Sequence, residues 1–396
     1  MIPRYLSPKI KKTAGEYPVV TLTGPRQSGK TTLVKALFPK HTYISLENPD
    51  QRAFAIDDPN GFLKRFKTGV ILDEVQHVPD IFSYLQTIVD ENDKPGQFIL
   101  TGPKNFLLLE KISQSLAGRT AIFNLLPFSQ GELLKRPAVD SESYPGQEYA
   151  RGVSAGLWES VMTGFYPRIH DKGLTPRQWL AGYYQTYLER DVRSIINVGE
   201  LDTFGRFIRL CAGRTGQLVN FSSLGADCGI SNMTAKRWLS VLQASFIIAM
   251  LPPHHENFSK RIIKSPKLYF LDTGLLSFLL GIRTQEELLL HPLRGAVFET
   301  FVFAELYKAY SNDGKIPTIY FWQDAKRHEV DFVLDRGKKL IPIEAKSGET
   351  LSSDSFQGLK YWRDLAGNRA GQPMLIYGGH ESYIRQDIQV LSWQQL

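Results

Sequence analysis

Residues 18–32, PVVTLTGPRQSGKTT, run from a β-branched stretch through a glycine-punctuated turn into a helical repeat carried on by Leu33, Ala36 and Leu37. The order is strand, loop, helix. The loop fits G-x-x-x-x-G-K-[ST] on Gly24, Gly29, Lys30 and Thr31, where glycines let successive backbone N–H groups turn onto phosphate oxygens at a positive helix end. On this reading Gly24, Pro25, Arg26, Gln27, Ser28 and Gly29 wrap a polyphosphate. Lys30 reaches the β and γ phosphates, Thr31 offers its hydroxyl to Mg²⁺, and Thr32 follows as the next helical residue.

Further along, Gly69 to Leu72 (GVIL) is a buried-strand pattern that ends in Asp73 and Glu74. Two acids directly after an apolar strand suit the chemistry of an ATP–Mg²⁺ site. Asp73 would hold the ion, and Glu74 would polarise the water that attacks the γ phosphate. A third strand, Phe98 to Leu100, ends at Thr101, which competes with Asn105 for contact with the γ phosphate or that water. Arg119 precedes another strand, Thr120 to Leu125, and is a candidate to neutralise transition-state charge, within one chain or across to a neighbour in a homo-oligomer; a surface role is the alternative.

Composition narrows the class without naming a partner. The 396 residues exceed the usual domain size, so more than one unit is expected, and 42% hydrophobic against 22% charged residues describes a core-forming chain rather than a disordered one. No apolar run approaches the roughly 20 residues of a membrane span, and MIPRYLSPKIKK lacks the apolar stretch of a signal peptide, so no membrane association is expected. With only Cys211 and Cys228 present, a cysteine-built zinc site is excluded and a cytoplasmic location is expected. The net charge of +7 permits contact with nucleic acid but does not require it.

The segments GPRQSGKTT, VILDEVQ, ILTGPKN and LAGRTAIFNLLPFS, in this order, resemble the bacterial and archaeal AAA+ predicted ATPases that carry a carboxy-terminal domain of unknown function. The likeness continues through GFYPRIH, YYQTYLERDVR, SPKLYFLDTGL and RGAVFETFVFAEL, and so covers nearly the whole chain. It implies ATP binding and hydrolysis with Mg²⁺. One departure is Pro103 and Lys104 after ILTG, where the family usually has Ser and then a small or amide residue; this bears on Thr101 and Asn105.

Between these motifs, Glu132 to Gly156 reads as a polar loop or linker, and Arg177 to Val198 as a lid helix with Trp179, Leu180, Tyr183, Tyr187 and Leu188 roughly on one face. Arg190 and Arg193 are weaker nucleotide-contact candidates than a solvated face. Residues 218–272 then show helix-turn-helix spacing. A helix near Ser222 to Ala226 is followed by a turn through Gly229 and a second helix from Asn232 to Ala244 capped by Ser231, and two strand runs complete a winged helix. Used on DNA, Asn232, Thr234, Lys236 and Arg237 would face the groove, and Lys260, Arg261, Lys264 and Lys267 in the wing would meet phosphates. A packing or protein-contact role stands equally open. His254 and His255 have no partners that would suggest metal.

In the last hundred residues a helix (AVFETFVFAELYKAY) bearing Glu299 precedes three strand signals, IYFW, EVDFVLD and LIPIEAK. Residues two apart in a strand share a face, so Asp331 lies with Glu329, and Glu344 with Lys346. Helix Glu, strand Asp, then Glu-x-Lys resembles the restriction-endonuclease-like superfamily at Glu299, Asp331, Glu344 and Lys346. That implies a second Mg²⁺ or Mn²⁺, held by carboxylates and the carbonyl of Ala345, with Lys346 orienting or deprotonating a water. Such folds also serve as binding modules. Gln357 and Lys360 read as a solvated face. The expected fold class is therefore α/β: a P-loop AAA+ ATPase domain with a parallel sheet flanked by helices (1–165), a helical connector or lid (166–217), a winged helix (218–285) and an α/β restriction-endonuclease-like domain (286–396). Its partners would be ATP, ADP and DNA.

Overall fold

The computed structural model describes residues 2–103, 114–146, 156–188, 201–254, 265–324 and 326–396, without the side chains of 187, 188 and 201. The chain forms two compact units. The first comprises 1–128 with the short pieces 244–246 and 311–315, and the second comprises the remainder.

In the first unit five parallel strands, β1 (Val19–Thr23), β2 (Thr42–Ser45), β3 (Val70–Asp73), β4 (Phe98–Gly102) and β5 (Thr120–Asn124), lie in the order β2-β3-β4-β1-β5. The central strands are apolar at nearly every position because both faces are covered. Alternate residues serve the two sides. Val19, Val70, Leu72, Phe98 and Leu100 pack in one core with helices Pro59–Lys64 and Ile81–Glu91, and Val20, Leu22, Ile71 and Ile99 pack in the other with Ser7–Ala14 and Lys30–Leu37. The parallel arrangement brings the carboxyl ends of β1, β3 and β4 to one edge of the sheet.

In the second unit, helix Phe221–Cys228 ends at Gly229, whose φ of 72° closes a left-handed cap. Helix Asn232–Ala244 follows, with the Ser231 hydroxyl accepting from the N–H of Thr234 as expected of a cap. The antiparallel pair β6 (Ile248–Leu251) and β7 (Lys267–Phe270) comes next. The long helix Arg294–Asn312 leads into a six-stranded mixed sheet of β8 (Ile319–Gln323), β9 (Glu329–Asp335), β10 (Leu340–Lys346), β11 (Met374–Tyr377), β12 (Tyr383–Arg385) and β13 (Ile388–Ser392), in the order β12-β13-β11-β10-β9-β8. β8, β9 and β10 are antiparallel neighbours, and helix Gln357–Ala366 carries the chain to β11, which runs parallel to β10. That helix covers one sheet face through Leu359 and Trp362.

The division differs from the expected one. Residues 129–165 belong to the second unit: the N–H of Gln130 donates to Glu305 at 2.8 Å, and helix Leu157–Thr163 is followed by Gly164, where a Cβ would lie 2.9 Å from the Cα of Gly274. Nor do 218–285 and 286–396 separate, since the N–H of His254 donates to the Phe321 carbonyl of β8. The expected lid helix is helical over Pro176–Tyr183 and π-helical over Tyr184–Leu188; Arg190 and Arg193 lie outside the described residues. No helix among the described residues is long and apolar enough to cross a membrane.

Candidate functional site

The loop after β1 opens on Gly24 with φ of 153°, where a Cβ would stand 2.2 Å from the carbonyl oxygen of Leu125, so the tight turn beside β5 demands glycine. Gln27 and Gly29 also have positive φ (64° and 91°), and Gly29 is the N-cap of helix Lys30–Leu37. A backbone curled in this way presents N–H groups to an anion. Ser28 is buried and its hydroxyl has no protein partner. The ammonium of buried Lys30 donates to the carbonyls of Gly24 (3.1 Å) and Pro25 (2.9 Å), and burial pushes it down to about 8 against the upward pull of Glu74 and Asp73. A desolvated cation held by two loop carbonyls and a buried hydroxyl in need of a partner fit a polyphosphate.

Asp73, at the end of β3, gathers three hydroxyls: Thr31 donates to Oδ2 at 2.8 Å, Tyr43 of β2 to the same oxygen at 2.8 Å, and Thr101 to Oδ1. The pair Thr31 and Asp73 is the donor set expected for Mg²⁺. Glu74 takes a left-handed backbone (φ 58°) and accepts from the Gln76 amide at 2.5 Å, which fixes its carboxylate at the strand end. Tyr43 went unrecognised in the sequence. Burial and the contact with Asp73 push its hydroxyl up to about 12, so it remains a donor. Thr32 is exposed and Arg26 is half-buried near Glu47 at 3.8 Å. Thr101 lies inside β4, which continues to Gly102, so its hydroxyl is directed to Asp73; Asn105 lies outside the described residues.

Arg119 is not brought to this edge. The N–H of Val19, at the start of β1, donates to the Arg119 carbonyl, which places Arg119 at the amino end of the sheet, a strand length of roughly 16 Å from the loop. Its guanidinium is clamped by Asp90 at 2.5 and 3.0 Å. Action on the nucleotide of its own chain is thereby removed. Arg4 takes an unanticipated place instead: its buried guanidinium donates to the carbonyls of Ser28 (3.0 Å) and Leu126 (2.6 Å).

The second unit assembles Glu299, Asp331, Glu344 and Lys346 in one cluster. The N–H of Ala345 donates to Asp331 at 2.9 Å, and the Lys346 ammonium donates to Glu344 at 2.7 Å. Glu299 is pushed up to about 7 by burial and by the charge of Asp331, with Lys267 and Tyr269 opposing. Burial and the same aspartate raise Glu344 well above the usual carboxylate range. Lys346, though burial works against it, is raised by Glu344 and Asp331 and stays an ammonium. Such a crowd of half-buried carboxylates favours a divalent cation.

Three further side chains complete this cluster. Lys267, expected as a wing contact to phosphate, instead lies buried on β7 and donates to Glu299 (3.5 Å) and to Glu329. Tyr269, two residues on, donates to Glu299, and Gln323 donates to Glu329 at 2.6 Å. The alternation of KLYF, which puts Lys267 and Tyr269 on one side of an otherwise apolar strand, was the available signal.

On the helix-turn-helix, Lys236 and Arg237 are exposed beside an open groove of about 640 Å³ lined by Leu218, Phe221, Asn232 and Met233. Asn232 and Thr234 are engaged locally, with Ser222 and Ser231. Lys260, Arg261, Lys264 and His255 lie outside the described residues, and His254 packs edge-on against Tyr320. Lys360 is half-buried and Gln357 exposed, donating to Asp354.

Comparison with known proteins follows this division of chemistry. Residues 16–134 match the AAA domain family, 154–286 a domain of unknown function (DUF8612), and 294–396 another (DUF4143). Over 347 residues, 87% of this chain and 74% of theirs, the sequence is 30% identical to Uncharacterized protein Rv2008c of Mycobacterium tuberculosis and to Uncharacterized protein Mb2031c of Mycobacterium bovis. Among solved structures, the chain is similar to the Walker-type ATPase PABY2304 of Pyrococcus abyssi (16% identity, TM-score 0.42, 70% of this chain and 96% of that one). It is also similar to the RuvB Holliday junction branch migration motor of Thermotoga maritima (16% identity, TM-score 0.30, 63% and 90%). With its glycine loop, its Asp73–Glu74 strand end and this full-length kinship, the chain belongs with the mycobacterial proteins to a family of AAA-domain ATPases that end in a domain of unknown function.

Proposed function

We propose that this ATPase uses its nucleotide state to control a DNA-directed second unit whose carboxylate cluster hydrolyses phosphodiesters. At the nucleotide site, the loop from Gly24 to Gly29 wraps the phosphates, Lys30 turns from its own carbonyls to the β and γ oxygens, and Thr31 and Asp73 hold Mg²⁺. When bound, the ion neutralises charge on the phosphates. Glu74, aimed by Gln76, orients the attacking water and takes its proton, while Thr101 and Tyr43 act through Asp73 as positioning residues. Arg119 is left to a neighbouring copy in a homo-oligomer.

The observation that carries the second half of the reading is the convergence of Glu299, Asp331, Glu344 and Lys346 on a helix, β9 and β10. The element order of helix, three antiparallel strands, helix and a parallel strand also supports a restriction-endonuclease-like fold. When bound there, Mg²⁺ or Mn²⁺ supplies Lewis-acid polarisation of the scissile phosphate. Lys346, kept charged by its two acids, orients the water rather than deprotonating it; a water oxygen joins phosphorus as a sugar hydroxyl leaves. Lys236 and Arg237 would meet DNA phosphates.

Nicking and binding of duplex, single-stranded and branched DNA by the purified chain, with and without ATP and Mn²⁺, test this reading. Nucleotide-dependent nicking that needs Mn²⁺ is expected; no cleavage of any substrate would reduce the cluster to a binding role. A second reading, a switch that grips a protein instead, has Met233 in its favour, 79% exposed at the first turn of the second helix. DNA binding that weakens steeply with salt decides against it.

A further inference from the structure

The carboxylate cluster holds more acid than the expected four-residue pattern supplies. Glu299, Glu329, Asp331 and Glu344 face only Lys267 and Lys346, which leaves two negative charges uncompensated. One divalent ion balances this; a second would leave an equal positive excess. The two lysines divide the cluster between them. Lys346 sits at the Glu344 end, beside Asp331, and Lys267 sits at the other, between Glu299 and Glu329. Lys267 is 4% exposed, its ammonium lies 5.4 Å from the centre of the Phe321 ring, and its backbone is pinned because the N–H of Leu268 donates to Gln217 at 3.1 Å. An ammonium so enclosed is not a mobile surface charge. It meets the carboxylates where a second metal ion would meet them.

We propose that Lys267 is a built-in cation that occupies the second ion position, so that the site takes a single divalent ion between Asp331 and Glu344. This rests on the reading of the cluster as a metal site. It also assigns Tyr269 a place as the positioning residue that holds the shared Glu299 against Lys267. Both side chains come from the hairpin that follows the helix-turn-helix, so one half of the ion environment is supplied by β7 rather than by the sheet that carries the acids.

Mn²⁺ titration of the full chain without nucleotide, by calorimetry, tests the count; the ions belonging to the cluster are those lost in Asp331→Ala. Wild type is expected to lose one ion. Lys267→Gln is expected to hold two at this site, and Lys267→Arg, which keeps the charge, one. A wild-type count of two, or a folded Lys267→Gln that still holds one, overturns the proposal. Should Lys267→Gln fail to melt cooperatively, the wild-type count decides alone, one sustaining the inference and two overturning it. A wild type that loses no ion removes the metal reading itself, and with it this inference.

Discussion

The two sites of the molecule are made in opposite ways. At the loop after β1, one buried lysine and curled backbone await negative charge, and nearly every part comes from short contiguous stretches at the ends of parallel strands. In the second unit, acids outnumber lysines and await positive charge, and the parts come from β7, a long helix, β9 and β10, spread over residues 267–346. A phosphate loop is a local solution, because glycine geometry and a helix end already create it. A carboxylate cluster is a tertiary one, since like charges approach only when folding forces them and interleaved lysines offset the repulsion.

The largest expected effect tests the first half of the contrast. Lys30→Ala and Glu74→Gln should each lower ATP turnover about a thousandfold, roughly 4 kcal/mol of transition-state stabilisation, with Glu74→Gln still binding nucleotide. Phosphate release and nucleotide titration measure these, and turnover that survives both changes breaks the assignment. At the other site, Asp331→Ala or Lys346→Ala should reduce Mn²⁺-dependent nicking about a hundredfold, scored as conversion of supercoiled to open circles. Activity retained in both would move the chemistry elsewhere. A smaller effect separates a ligand from its support: Tyr43→Phe removes one of three hydroxyls on Asp73, costing about 1 kcal/mol, and should raise the Mg²⁺ concentration for half-maximal turnover about three- to tenfold. An unchanged Mg²⁺ dependence would make Tyr43 a packing residue.

Proton linkage gives the finest test, because the two sites should differ in sign. Burial holds Lys30 at about 8, below its ordinary 10.5, and a bound triphosphate favours the ammonium, so nucleotide binding near pH 8.5 should take up a fraction of a proton. Glu299 stands at about 7, above its ordinary 4.5, and a bound cation favours the carboxylate, so Mn²⁺ binding near pH 6.5 should release one. Without metal, the folded state keeps a proton that the unfolded chain gives up, so Glu299 lowers stability as pH rises from about 4.5 through 7. Calorimetry in buffers of different ionisation enthalpy reads both signs. Uptake at both sites, or release at both, breaks the comparison.

Legibility in the sequence followed the same line. Gly24, Gly29, Lys30, Asp73 and Glu74 could be placed because spacing alone dictates their geometry, and Glu299, Asp331, Glu344 and Lys346 because strand parity aligns them. Thr101 could be located but not aimed: β4 runs one residue beyond it, and burial turns its hydroxyl to Asp73. Lys267 read as a surface cation because nothing nearby in sequence discloses that Glu299 and Glu329 lie against it. The unit boundary fell near 128 rather than 165 through contacts such as Gln130 with Glu305, which join residues 175 apart.

Arg4 lies outside the segment that matches the AAA domain, yet its guanidinium holds the carbonyl of Ser28, the residue before Gly29, and ties it to Leu126 beyond β5. Trimming the protein to residue 16 for expression or crystallisation would keep every motif of the nucleotide site and delete this brace. Two buried carbonyls would lose their donor, and a weakly binding product of such trimming would reveal an editing artefact rather than the temperament of the enzyme.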